Sequence, residues 1–288
     1  MKPAAESKVF SRNYSLNIGG RLIDLTTPRI MGILNVTTDS FYTASRAFDE
    51  VEILTKAGKM LEDGATFLDV GGASTRPGAP EVAEEEELKR VRIAIAAIKR
   101  EFPSSIISCD TFRSEVARQA VYAGADLMND VSGGERDAAM FKVISELRVP
   151  YILMHSRGTP ETMGSLTQYD NLMMELISWL QERVLRLRDA GVKDVIVDPG
   201  FGFAKSQKQG FELLRKLELL HVLECPLLVG ISRKSMIWKT LKVTPDEALN
   251  GTTVLHTLAL MKGASILRVH DVKEAVEAVT LIAKCEKL

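Results

Sequence analysis

The sequence predicts an α/β chain folded as one TIM (β/α)8 barrel carrying an N-terminal β-hairpin, and three observations lead there. Eight short apolar runs recur along the 288 residues at spacings of about 25 to 45. Nearly all of them run, at their C-terminal end, into a polar or charged cluster. Amphipathic segments of helical period lie between them in strict alternation. A buried parallel strand reads as a nearly continuous apolar run, so eight such runs with polar residues at the same end describe a ring whose polar ends face one another. Barrels of this kind commonly occupy ~250 residues as a single unit. Residues 1–28 are therefore expected to form an extension and hairpin capping the barrel, and 29–288 the barrel itself.

Residues 14–25 alternate apolar and polar around Gly19-Gly20, the pattern of a tight hairpin, which is expected to plug the lower end of the barrel. Strands are expected at 30–36, 66–70, 106–109, 125–128, 150–154, 195–197, 226–231 and 265–269. Helices are expected near 49–63, 84–101, 113–123, 137–148, 170–190, 209–221, 245–262 and 271–286. The acidic run Glu84 to Glu87 suits a first helical turn, where it complements the positive end of the helix dipole. Gly64, Gly124, Gly191 and Gly263 each follow a helical pattern and precede a strand, the place of a left-handed C-cap. A doubly wound open sheet ranks second, because no GxGxxG follows the first strand and function would gather at one crevice only.

Composition narrows the function. Apolar residues make up 45% and charged residues 26%, so a large core can be buried and disorder is not indicated. A net charge of −1 provides no footprint for nucleic acid or an anionic membrane. No run approaches the ~18 apolar residues of a membrane span, and Met1 to Glu6 lack the apolar core of a secretory signal. Cys109, Cys225 and Cys285 lie far apart without a CxxC pair, arguing against zinc ligation or a disulfide framework. A cytoplasmic enzyme acting on small molecules is the expectation.

The strand ends carry the chemistry. Asp110, Asn129 and Asp198 close the third, fourth and sixth strands, so a barrel aims them into one cavity. An ionised carboxylate only accepts hydrogen bonds, so the fitting ligand is a flat ring with several N–H donors on one edge, such as a 2-amino-4-oxopyrimidine. A metal is the competing ligand, disfavoured because no histidine stands at ligand spacing. Phe203, in Asp198-Pro199-Gly200-Phe201-Gly202-Phe203, can line an apolar wall for such a ring. Ser232-Arg233-Lys234-Ser235 and Arg268-Val269-His270 follow strands seven and eight, a frequent phosphate position in this fold. Asn35 with Thr37, Asp39 and Ser40, and the glycine-rich stretch 71–80 with Thr75 and Arg76, open two long loops of the lid or binding kind. For each residue alone, capping, core packing or a solvated surface role is the alternative; their shared position at one mouth favours function.

With these segments in place the chain resembles the dihydropteroate synthases of the pterin-binding family. The resemblance rests on Gly32-Ile33-Leu34-Asn35-Val36-Thr37-x-Asp39-Ser40-Phe41 and Asp69-Val70-Gly71-Gly72-x-Ser74-Thr75-Arg76-Pro77-Gly78. It continues through Asp110-Thr111, Asn129-Asp130, Met154-His155-x-Arg157-Gly158-Thr159-Pro160, Asp198-Pro199-Gly200-x-Gly202-Phe203, Ser232-Arg233-Lys234-Ser235 and Arg268-Val269-His270. It implies joining p-aminobenzoate to (7,8-dihydropterin-6-yl)methyl diphosphate, giving 7,8-dihydropteroate and diphosphate. The implied order is diphosphate loss first, then attack of the amine on a pterin-stabilised cation, with Asp110, Lys234, Arg268, Asp39 and Arg76 catalytic. Asp110, Asn129, Asp198 and Lys234 would hold the pterin, Arg268 would stack on it, and Met154 and Phe203 would line the pocket. Asn35, Thr75, Arg76, Arg268 and His270 would hold the diphosphate, Asn35 also reaching Mg2+. Ser232, Lys234, Thr75, Phe41 and Pro77 would form the p-aminobenzoate subsite, and the protein would be a homodimer that binds neither nucleic acid nor membrane.

The chain departs from the family pattern at Thr38, where proline is usual, across Tyr42-Thr43-Ala44-Ser45-Arg46, where Ser-Asp-Gly-Gly is common, and at Ser156, often methionine. The first two bear on the first loop and on discrimination between p-aminobenzoate and sulfonamides. Two alternatives share the pocket: a barrel methyltransferase using a methylated tetrahydrofolate and a corrinoid partner, and a non-catalytic pterin-binding protein. The anion-binding residues Thr75, Arg76, Lys234, Arg268 and His270 separate the expected reaction from the first; intact Asp39, Arg76 and Lys234 argue against the second.

Overall fold

Eight parallel strands form the barrel in a computed structural model that describes residues 14–36, 46–73 and 82–285. They are β3 (Arg29–Asn35), β4 (Phe67–Gly71), β5 (Ile106–Asp110), β6 (Leu127–Asp130), β7 (Tyr151–Met154), β8 (Val195–Asp198), β9 (Leu228–Val229) and β10 (Ile266–Val269). Hydrogen-bonded neighbours run β8-β7-β6-β5-β4-β3-β10-β9. The ring closes through one parallel bridge between Val197 and Leu227, with the Val197 N–H donating to Pro226 O at 2.9 Å. β9 is shorter than the apolar run 226–231 because Gly230 to Ser232 already belong to the opening mouth.

Strand side chains alternate between the two faces, and that alternation sorts the barrel into layers. Ile30, Leu34, Leu68, Val70, Ile107, Cys109, Met128, Leu153, Val197, Val229, Leu267 and Val269 join the core shared with the surrounding helices. Met31, Phe67, Ile106, Leu127, Ile152, Ile196, Leu228 and Ile266 form a second, inner cluster at the strands' N-terminal ends. The hairpin of β1 (Ser15–Ile18) and β2 (Arg21–Asp24) packs Leu16, Ile18 and the following Leu25 onto that inner cluster, so it plugs the lower end as the alternating pattern predicts. Above the apolar layer, the same inward register turns polar.

The helices are α1 (Arg46–Glu62), α2 (Glu84–Glu101), α3 (Ser114–Ala123), α4 (Met140–Leu147), α5 (Leu172–Asp189), α6 (Gln207–Arg215), α7 (Ser235–Leu241), α8 (Leu249–Met261) and α9 (Val272–Cys285). Seven of the eight predicted helices appear within a few residues of their expected bounds. The segment 209–221 instead divides into α6 and a 3₁₀ turn at Leu217–Leu223. A capping box between Ser206 and Gln209 starts α6. α7 is additional: seven residues are too few for helical periodicity to register, and it starts directly after Lys234. Gly64, Gly124, Gly191 and Gly263 have φ of 100°, 116°, 93° and 85°, the left-handed conformation expected of them.

Candidate active site

The polar inner layer is organised by Arg268. It occupies the inward register of β10, and its guanidinium reaches across the barrel, Nε donating to Asp69 Oδ2 at 2.5 Å and Nη2 to Asp110 Oδ2 at 2.7 Å. Asn129 Nδ2 donates to the same Asp69 oxygen at 3.0 Å. One planar fork thus ties β10 to β4 and β5, with β6 joined through Asn129. Asp69, Asp110, Asn129 and Asp198 are all buried. Asp110 Oδ1 and Asn129 Oδ1, both buried, have no hydrogen-bond partner among the described residues. Such acceptors are costly without a donor, so the site presents a prepared edge to a ligand rich in N–H groups.

Asp198 and Lys234 form the facing wall. Asp198 Oδ1 accepts the Gly200 N–H at 2.8 Å, which turns the chain sharply after β8. Lys234 Nζ donates to Phe201 O and stands 4.2 Å from the centroid of the Phe203 ring. Met154 is buried at the end of β7. At the rim, the His270 N–H donates to Ser232 Oγ at 3.2 Å, and His270 Nδ1 lies 3.1 Å from that oxygen. Asn35, paired in register with Gly71, ends β3 with its side chain exposed. A cleft beside these groups is lined by Asp110, Phe112, Ser132, Ser156, Thr159 and Phe203.

Burial and neighbouring charge tune the ionisable groups. Burial drives the Asp110 carboxyl up to about 7; Arg268 opposes the rise and the nearby Asp69 charge adds to it. Asp198 is raised as well, chiefly by burial, against the Gly200 N–H and Lys234. Burial lowers Lys234 to about 8, with Asp198 pulling the other way. For Arg268 burial would lower the guanidinium, but Asp69 and Asp110 outweigh it and the net shift is upward. Chemically, the arrangement offers acceptors to a ring edge that donates hydrogen bonds.

The structure brings Asp110, Asn129, Met154, Asp198, Phe203, Ser232, Lys234, Arg268, His270 and Asn35 to one mouth. Asp39, Phe41, Thr75, Arg76 and Pro77 lie outside the described residues, as do Thr38 and Tyr42 to Ser45. Arg233, open between surface and site from sequence, turns away: its Nε and Nη2 pair with Asp271 at 2.8 Å each, and Nη1 holds the carbonyls of Pro245 and Asp246. Three participants were not singled out from sequence. Asp69 is a charged residue at an interior inward position of β4, where alternation alone would have exposed it to notice. Glu87 was read with its run as a helix-dipole partner; it is instead buried, accepting from Thr111 Oγ1 at 2.6 Å and pairing with Arg113. Lys205 is buried beside His155.

Among the described residues, no group of three or more His, Cys, Asp or Glu is placed to hold a metal. Nor is any described helix long and apolar enough to cross a membrane.

Comparison with known proteins agrees with this geometry. The pterin binding enzyme family matches residues 31–270. The dihydropteroate synthase of Escherichia coli strain K12 is 42% identical over 265 residues, 91% of this chain and 93% of that protein. The crystal structure of Yersinia pestis dihydropteroate synthase with a sulfonamide drug complex superposes with a TM-score of 0.89 at 39% identity, covering 96% of this chain and 100% of that one. The Xanthomonas albilineans dihydropteroate synthase with 4-aminobenzoic acid gives 0.88 at 37% identity, again over 96% and 100%. The same enzyme in complex with 7,8-dihydropteroate gives 0.84 at 35%, over 96% and 100%. A barrel with this polar layer, matched along its length by these enzymes, belongs to the dihydropteroate synthases of the pterin-binding enzyme family.

Proposed function

We propose that the chain condenses p-aminobenzoate with (7,8-dihydropterin-6-yl)methyl diphosphate, giving 7,8-dihydropteroate and diphosphate. The observation that carries this reading is the buried edge made by Asp110, Asn129 and Asp198, held by Arg268 and faced by Lys234. The pterin's ring N–H and amino groups answer the unpaired oxygens of Asp110 and Asn129. Phe203 and Met154 flank the ring, and Arg268 lies along it. The C–O bond to diphosphate breaks first; positive charge then spreads into the ring, where the Asp110 carboxylate stabilises it. The aromatic amine forms the new C–N bond and gives up a proton. No protein nucleophile is required, which agrees with a site built of acceptors and cations.

The rim supplies the anion and amine subsites. The diphosphate is assigned to His270, Arg268 and Asn35 together with Thr75 and Arg76 of the second loop, and Asp39 of the first loop is assigned a catalytic role. Ser232 and Lys234, with Phe41, Thr75 and Pro77, receive p-aminobenzoate. Mg2+ suits this rim as a companion of the diphosphate. It usually keeps several waters and takes one or two protein oxygens beside phosphates, and the exposed Asn35 amide, which has no hydrogen bond to any described residue, offers one. When bound, the ion neutralises charge on the leaving diphosphate.

The same reading makes the enzyme a cytoplasmic homodimer. The three cysteines are free, which fits a reducing compartment. Val254, Leu258 and Met261 are exposed along one face of α8 while Thr252, His256, Ala259 and Leu260 are buried on the other. A helix apolar on both faces is normally covered on both, and a second copy of the chain is the proposed cover.

A coupled assay with both substrates and Mg2+, following dihydropteroate and diphosphate, tests the activity. Wild type is expected to release both products in equal amounts. Lys234→Ala and Asp110→Ala are expected to abolish turnover, since removing one partner of a buried charged contact costs ~3 to 5 kcal/mol. Wild-type turnover in either variant would overturn the site assignment. Pterin binding without diphosphate release by the native chain would favour a non-catalytic pterin-binding protein.

A further inference from the structure

Building on the pterin-binding reading, we propose that Lys205, together with His155, is a positioning residue that holds the turn after β8 in the shape that receives the pterin. Lys205 is buried, and its Nζ has three partners: His155 Nδ1 at 2.9 Å, Gly200 O at 3.1 Å and Phe203 O at 3.1 Å. An ammonium has three donors, so every one is spent inside the protein and none is left for substrate. The residue acts through the backbone it gathers.

That backbone needs gathering. Gly200, Gly202 and Ala204 have φ of 70°, 76° and 46°. The left-handed region disfavours a side-chain-bearing residue such as Ala204, which persists there only where its surroundings over-determine it. Lys205 supplies one clamp by drawing two carbonyls of the turn onto a single charge. Tyr169 supplies another, its hydroxyl donating to Ala204 O at 3.0 Å. Gly200 lies so close to the end of β7 that a Cβ there would stand 2.0 Å from His155 O. The turn is thus pressed against His155 and tied to its ring.

His155 is itself firmly seated. Its N–H donates to Asp198 O at 3.0 Å, extending the pairing of β7 with β8, and its ring meets Trp179 edge-on with centroids 4.9 Å apart. Burial first, and then the positive charges of Lys205 and Arg157, hold the imidazole well below its ordinary range. A neutral ring whose proton sits on Nε2, an atom with no hydrogen-bond partner among the described residues, offers Nδ1 as an acceptor to the Lys205 ammonium, which burial lowers to about 7. The charged groups facing Lys205 are Asp198 from β8, Lys234 from the start of α7 and Arg157 from the loop after β7.

Three pterin contacts depend on this turn. Phe203 forms the apolar wall, Phe201 O takes the Lys234 ammonium, and the Gly200 N–H holds the Asp198 carboxylate. Loosening the clamp should therefore weaken pterin binding most, and reach p-aminobenzoate only through Lys234.

The test compares wild type with Lys205→Met, His155→Leu and His155→Asn, whose Oδ1 can stand in for the Nδ1 acceptor. Binding of 6-hydroxymethylpterin, KM for both substrates and amide hydrogen exchange over residues 200–205 are measured. Lys205→Met is expected to weaken pterin binding and raise the KM for the pterin diphosphate at least tenfold, with a rise in KM for p-aminobenzoate several times smaller. Exchange at 200–205 should quicken locally. His155→Leu should reproduce the effect, and His155→Asn should recover most of the affinity. Unchanged pterin affinity in Lys205→Met, or losses equal for both substrates with exchange quickened throughout the barrel, would overturn the proposal. If Lys205→Met does not fold, the histidine pair decides: His155→Asn no better than His155→Leu overturns it. If wild type itself binds no pterin, the preceding functional reading fails, and unchanged local exchange in the variants separately overturns the clamp.

Discussion

Burial outweighs Arg268 at Asp110 and outweighs Asp198 at Lys234, and the consequence is a site whose charge state shifts near neutral pH. Asp110 titrates at about 7 and Lys234 at about 8. Pterin binding favours the ionised carboxylate, because that form accepts at both oxygens. Below about 7 a proton must leave before binding, so affinity should fall as pH drops, by up to tenfold per unit. Above about 8 the Lys234 charge is lost and affinity should fall again. The expected profile of pterin affinity is a narrow bell, its limbs reporting the coupled network rather than isolated residues. Calorimetric titrations between pH 5.5 and 9.5 check it: Asp110→Asn should lack the acid limb, and an acid limb intact in that variant would assign it elsewhere.

Among the elements, α2 does more than cover the barrel. Glu87, in its first turn, is buried against Thr111 and Arg113 from the segment after β5. Arg113 Nη2 then donates to Val82 O at 2.8 Å, and Arg90 of α2 donates to Gly72 O at 3.1 Å. Those two carbonyls flank residues 74–81, so α2 and its partners fasten the chain on both sides of Thr75 and Arg76. Removing Glu87 takes away the buried carboxylate that Thr111 and the largely buried Arg113 share, a loss of up to ~3 to 5 kcal/mol. Removing Glu52, whose pair with Lys56 is more than half exposed on both sides, should cost at most ~1 kcal/mol. Urea unfolding of Glu87→Ala beside Glu52→Ala measures the contrast, and equal midpoints would show that the buried pair contributes nothing special.

At the scale of the whole molecule, α8 faces outward with the apolar side that the barrel leaves uncovered. Val254, Leu258 and Met261 recur at helical spacing, and closed twofold dimers are the commonest assembly of soluble chains. Leu258→Glu would place two like charges near the proposed axis. Light scattering coupled to size exclusion should then show the mass halved, with turnover per folded chain retained if each barrel holds a complete site. A native chain that runs as a monomer at micromolar concentration would remove the dimer.

Much of this molecule could be read along the chain because its signals are local. Alternation of period 2, helical periodicity, glycine caps and polar strand ends each occupy a few consecutive residues, and they located the barrel, the plugging hairpin and Asp110, Asn129, Asp198, Lys234 and Arg268. α7 escaped because seven residues carry too little pattern, and Arg233 could not be assigned because its Asp271 partner lies 38 residues away. The residues decided only by tertiary structure are those whose role is a distant partner. Asp69 meets Arg268 across 199 residues, Glu87 meets Arg113 across 26, and Lys205 meets His155 across 50. Inside their own segments they read as a strand interruption, one acid in an acidic turn and one lysine in a loop. A sequence by itself determines which residues can form strands, helices and caps, because those preferences reside in neighbouring residues. Which buried charges meet depends on closing the ring, and that brings chain segments together irrespective of their separation.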